Sequence, residues 1–122
     1  MTNKERPIIK IKNMPEHHLE IELFQNKVLR PILKMQHDLI LKTFHNHINK
    51  LSIDWNQLKH IKKVKCVIDQ LSKNLQLKNL IIGLIVGHLN EQESNQYFNN
   101  NKEYNKRIIQ MSIQRIQSTI NM

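Results

Sequence analysis

Seven histidines and a single cysteine are the side chains of this 122-residue chain whose types invite chemistry. Imidazole is the commonest protein ligand for zinc and related ions, so a metal is the first reading to test. The spacing argues against one. Two ligands on one helix face sit three or four positions apart, whereas His37 and His45 are separated by eight and His45 and His47 by two. The pairs His17/Glu20 and His18/Glu22 have workable spacing but lie in a charge-rich stretch that reads as solvated surface, and no HExxH is present. His88, close to the end of an apolar segment, suits the free carbonyls of a helix terminus better than a metal. His37 and Asp38 are neighbours, which places them about 100° apart on a helix and not face to face as a dyad. The expected inventory is no metal, no other cofactor and no catalytic residue.

Nucleophilic chemistry has one candidate. GxSxG, P-loop and GxGxxG patterns are absent, and the chain has only two glycines with which to build such cradles. On a helical plot Cys66 falls among Lys62, Lys63 and Lys73, and nearby cations favour a thiolate. The expectation is therefore either a reactive, redox-sensing or modifiable thiol or an inert exposed cysteine. The same plot gathers Lys59, Lys62, Lys63 and Lys73 opposite an apolar stripe. Such a face would follow a phosphate backbone or meet an acidic partner, and the net charge of +9 points the same way. Composition tempers this. The chain has no alanine and is crowded with Ile, Asn and Lys, as AT-rich codons would supply, so part of the charge needs no binding role. Aromatics for stacking on bases are few. Trp55 is the one nearby, and it suits an anchor for the turn before the helix.

The elements that must position these residues are helices. Pro15 suits a first helical turn, and Glu16 and Glu20 complement the helix dipole there. The first helix is expected to run to about Arg30, where Pro31 kinks or breaks it. A second carries Ile32, Leu39, Ile40, Phe44, Ile48 and Leu51 and ends near Lys50. A third, over 56–73, has its apolar stripe at Leu58, Ile61, Val64, Ile68 and Leu71. A fourth, over 77–89, is apolar nearly all round and is expected to be the buried central helix, with Gly83 and Gly87 admitting a close neighbour. Asn90 and Glu93 have capping-box spacing for a short helix through Phe98. The last, from about Lys102, aligns Ile109, Ile113, Ile116 and Ile120, a face for core packing or for a protein partner or homodimer.

The expected fold is all-α, a compact bundle of about five or six helices over 14–122, preceded by a flexible basic arm over 1–13 that bears Lys4, Arg6, Lys10 and Lys12. One cysteine permits no internal disulfide, and the start of the chain lacks the apolar stretch of a secretory signal. The longest apolar run, Leu80 to Gly87, is far short of the roughly 18 residues of a membrane span. The expected compartment is the cytoplasm, with no membrane partner.

The stretches FQNKVLRPILKMQHDLI (Phe24 to Ile40), GLIVGHLNEQE (Gly83 to Glu93) and NKRIIQMSIQRIQ (Asn105 to Gln117) resemble a group of small bacterial helical proteins, some of which carry the name glyoxalase. The resemblance implies a helical fold and no residue roles. Glyoxalase I enzymes are built from βαβββ modules with metal ligands on strands, and no such strands are expected here. The sequence is thus read as a non-enzymatic protein-interaction module, then as an RNA- or ribosome-associated basic protein, and last as an enzyme.

Overall fold

The structure, a computed structural model, describes residues 16–120; the expected basic arm over 1–13 lies outside them. Helix α1 (Glu16–Phe24) runs through a π-helical turn (Gln25–Leu29) directly into α2 (Arg30–Met35). Pro31, expected to kink or break the helix, is accommodated without a break. It has no N–H to donate and would crowd the carbonyl four residues back. The widened turn before it relieves that crowding, the Arg30 N–H reaching the Gln25 carbonyl instead. The kink comes at Gln36, whose φ and ψ are −94° and 11°. Helix α3 (His37–Lys50) follows and buries Ile40, Phe44 and Ile48, four residues apart on one face.

Helix α3 closes in a Schellman motif. The Ile53 N–H donates to the Ile48 carbonyl at 3.3 Å and the Ser52 N–H to the Asn49 carbonyl at 3.1 Å. Ser52 takes the left-handed position, φ 59°, that glycine usually fills. A single 3-10 turn (Trp55–Gln57) and two extended residues lead into α4 (His60–Lys73), which therefore starts four residues later than expected. Asn74 caps α5 (Leu75–Val86) by accepting from the Leu77 N–H at 2.9 Å. The capping box at Asn90 and Glu93 forms as expected, both bonds present at 2.8 and 2.9 Å, and opens α6 (Glu91–Asn99). Helix α7 (Asn101–Gln117) completes the chain. With the α1–π–α2 run counted as one rod, the described residues form six helices and no strand, a compact all-α fold.

The central helix is α7 and not the expected segment near 77–89. Helix α7 touches the π-turn, α2, α3, α4, α5 and α6, and buries Tyr104, Ile108, Ile109, Met111, Ser112 and Ile116. Its polar core position is satisfied locally, since the Ser112 hydroxyl donates to the Ile108 carbonyl at 2.8 Å. Helix α5 buries Leu77, Ile81, Ile82 and Ile85 but leaves Leu75 68% and Leu80 56% exposed. No helix approaches its glycines as the sequence suggested: a Cβ placed on Gly83 would meet nothing within 4 Å. Apolar composition all round a helix does not say which side faces the core when a longer helix with more neighbours occupies the centre.

Candidate acid-binding face

Helix α4 sits rotated from its expected orientation. Val67 and Leu71 are buried, while Ile61 and Ile68, expected in the core stripe, are 73% and 43% exposed. The rotation draws Lys63, Cys66 and Gln70 into half-buried positions and leaves Lys59, Lys62, Lys65 and Lys73 exposed. Lys63 lies over the Trp55 ring, 5.6 Å from its centroid, a cation–π contact that fixes it toward the protein. Lys73 pairs with Asp69 at 3.8 Å. Of the four lysines expected on the basic face, Lys59 and Lys62 therefore present free charge, and Lys65 joins them. Spacing gives no signal for Lys65, because it stands on the helix beside Ile61 and Ile68, the isoleucines of the apolar stripe.

A second group of lysines continues this side. Helix α4 packs on α5 and α7, and α5 packs on α7. Between α5 and α7 lies a groove of about 540 Å³ with Leu75, Ile82, Ile109 and Ile113 as its apolar wall. Lys78, Lys102 and Lys106 line it, and no Asp or Glu does. Ser72 on α4 also borders the groove, one turn beyond Ile68, so the exposed apolar edge of α4 leads into it. The expected isoleucine face is divided: Ile109 and Ile116 are buried, and Ile113 and Ile120 are half-buried against the core. Its main role is core packing, with Ile113 turned far enough to line the groove. Spacing alone reveals the Lys102/Lys106 pair; its convergence with Lys78 depends on how α5 packs on α7.

Apart from Asp69 on α4 and Glu103 on α7, the carboxylates of the described residues lie outside α4, α5 and α7. On the α1 side, Arg107 donates from Nε to Glu103 at 2.9 Å and from Nη1 to the Gln25 side-chain oxygen at 2.9 Å, with Glu22 at 3.6 Å. The Arg107 hydrogen bond, above all, holds the Glu103 carboxyl below the usual carboxylate value. Glu91 and Glu93 serve the start of α6. Glu16 and Glu20 stand exposed on α1.

Cys66, expected either as a reactive thiol or as an inert exposed cysteine, lies half-way down the side of α4. Cys66 is half-buried; burial pushes its pKa up, and Asp69 on the next turn pushes the same way. Trp55 anchors its turn as expected, meeting Phe44 and His45 edge-on at 5.4 and 5.1 Å between ring centroids. Burial, and then the charge of Lys63, lower the pKa of His45. His47 pairs with the Gln70 side-chain oxygen at 2.8 Å, and His37 lies 3.4 Å from Nη1 of Arg115. His88 meets the Gln36 side chain, and that glutamine amide also donates to the Leu84 carbonyl at 3.5 Å. Gln36 thus takes the terminus-capping role expected of His88. Among the described residues no three His, Cys, Asp or Glu side chains converge on a point that could hold a metal ion, and no helix is long and apolar enough to cross a membrane.

Comparison of the chain with protein-family models, with curated proteins and with solved structures finds no match.

Proposed function

We propose that this protein is a non-catalytic interaction module of the cytoplasm that binds an acidic protein surface on its α4–α5–α7 side. One observation carries the reading: the groove between α5 and α7 is lined by three lysines and by no carboxylate. Lys78, Lys102 and Lys106 line the groove, Lys59, Lys62 and Lys65 stand exposed on α4, which packs on both groove helices, and Arg107 takes up Glu22 and Glu103. The apolar side chains among the lysines favour protein over nucleic acid. Ile61, Ile68 and Leu75 are exposed beside the charges, as in an interface with an apolar centre and a polar rim. For base stacking, Trp55 is covered by Lys63, and Phe98, 65% exposed, belongs to α6.

The test is fluorescence anisotropy with two labelled probes, a polyglutamate peptide and a mixed RNA pool, across a salt series. The reading expects the peptide to bind, binding to weaken steeply as salt rises, and the triple variant Lys59→Glu, Lys62→Glu, Lys65→Glu to lose most of it while circular dichroism stays unchanged. Lys63 and Lys73 are left intact in this design because they hold Trp55 and Asp69. RNA binding that the same variant abolishes, with no peptide binding, would place the RNA-associated reading first. Isomerisation of a glyoxal–thiol adduct above background would overturn the non-catalytic assignment.

A further inference from the structure

We infer that the α5/α7 groove receives the outer face of α1 from a second copy of this chain. The inference rests on the α4–α5–α7 side being acid-binding, and it names the acid. Helix α1 carries Glu16, Leu19, Glu20 and Leu23 at spacings of three, one and three, which places all four within about 100° of arc on one face. Among the described residues that face is largely open: Glu16 and Glu20 are exposed, Glu20 bordering a shallow pocket with Gln96 and Tyr104, and Leu19 and Leu23 are 52% and 47% exposed. The face alternates acidic and apolar side chains, which can serve as paired charge and apolar anchors in a groove. The groove offers the complement, Leu75 and Ile113 for the leucines and Lys78, Lys102 and Lys106 for the glutamates.

Length and sign both fit. At 1.5 Å per residue the α1 face from Glu16 to Leu23 spans about 10 Å, and the α7 side of the groove from Lys102 to Ile113 spans about 16 Å. Two turns of helix therefore lie within three turns of groove. The basic stretch at the start of the chain is excluded by its charge. Residues 1–13 carry Lys4, Arg6, Lys10 and Lys12 against Glu5, and a second groove would set lysine against lysine. Because α1 and the groove are different surfaces, two copies can exchange helices about a twofold axis, each filling the other's groove.

Sedimentation velocity on the full-length chain at low and high salt tests this. The wild type is expected to self-associate at about 50 mM salt and to dissociate at about 500 mM, where charges beyond a few ångströms are screened. Lys102→Glu with Lys106→Glu, and separately Glu16→Lys with Glu20→Lys, should each weaken self-association by about tenfold or more. Mixing the two double variants should restore association, because each then meets opposite charge in both directions. Leu23→Ser, at a position 47% exposed, should weaken it without altering charge, with circular dichroism as the check on folding. A wild type that stays monomeric at low salt, or a mixture that does not associate, overturns the inference. If such monomers still bind the polyglutamate probe, the acid-binding reading stands and the second copy alone is excluded.

Discussion

His45 sits where burial and Lys63 both disfavour its charged form, against the protein's only tryptophan. Its folded pKa is below the ordinary 6.5, so between 6.5 and that lower value the unfolded chain takes up a proton that the folded chain refuses. Stability from this group is therefore unaffected above pH 6.5, declines as pH falls through the window, and levels off below the folded pKa. Urea unfolding followed by Trp55 fluorescence should show this decline, and His45→Gln should flatten it; an unchanged slope would remove His45 as the cause. Cys66 gives the second test. With its thiol pushed up by burial and by Asp69, its reaction with iodoacetamide near neutral pH should be slower than that of free cysteine. A faster reaction would restore the activated thiol. Neither environment was legible in spacing. A helical plot put lysines around Cys66 but could not report the depth at which α4 seats it.

The termini of the helices were the most legible feature. Asn90 and Glu93 form their capping box where the pattern placed it, because both bonds are closed within four residues. The α3 stop near Lys50 was equally local, although its Schellman geometry puts Ser52 at φ 59°, a conformation costly for any residue with a Cβ. Ser52→Gly should thus stabilise the fold by about 0.5–1 kcal/mol, seen as a raised melting temperature. A loss of stability would mean that the serine side chain contributes more than its backbone costs. Helix orientation was less legible than helix extent. The isoleucines of α4 mark a stripe by spacing, but Val67 and Leu71 decided the seat, since both can be buried only with Lys63 and Gln70 drawn half inside. Those two polar chains remain satisfied, one over Trp55 and the other bonded to His47.

Across the molecule, Lys59, Lys62 and Lys65 on α4, Lys78 on α5 and Lys102 and Lys106 on α7 stand on three helices that pack on one another. Like charges gathered on one side repel, and the repulsion is largest at low salt. Replacing exposed Lys62 by glutamate should therefore stabilise the isolated chain by a few tenths of a kcal/mol at low ionic strength, an effect that fades as salt rises. The same change should weaken capture of the acidic probe. Thermal melts and anisotropy on one sample compare the two, and a Lys62→Glu chain that is both less stable and equally competent to bind would contradict the assignment of this face. Conservation of function at a cost in stability is expected of a binding surface.

Helix content, the caps and the absence of strand patterning followed from residues within a few positions of one another, where periodicity and side-chain-to-backbone bonds act. The identity of the central helix did not. Helix α5 has the more apolar sequence, yet α7 has more neighbours, because its length lets it reach both the α1–α2 rod and α4. The groove was equally beyond the sequence: Lys78 and Lys106 are far apart along the chain and become neighbours only when α5 packs on α7. The Arg107 link to Gln25 and Glu22 is a contact of the same kind. Local bonds and periodicity are encoded by short spacings, whereas the rotation and pairing of helices minimise exposed apolar area over the whole chain at once, and that minimum exists only in three dimensions.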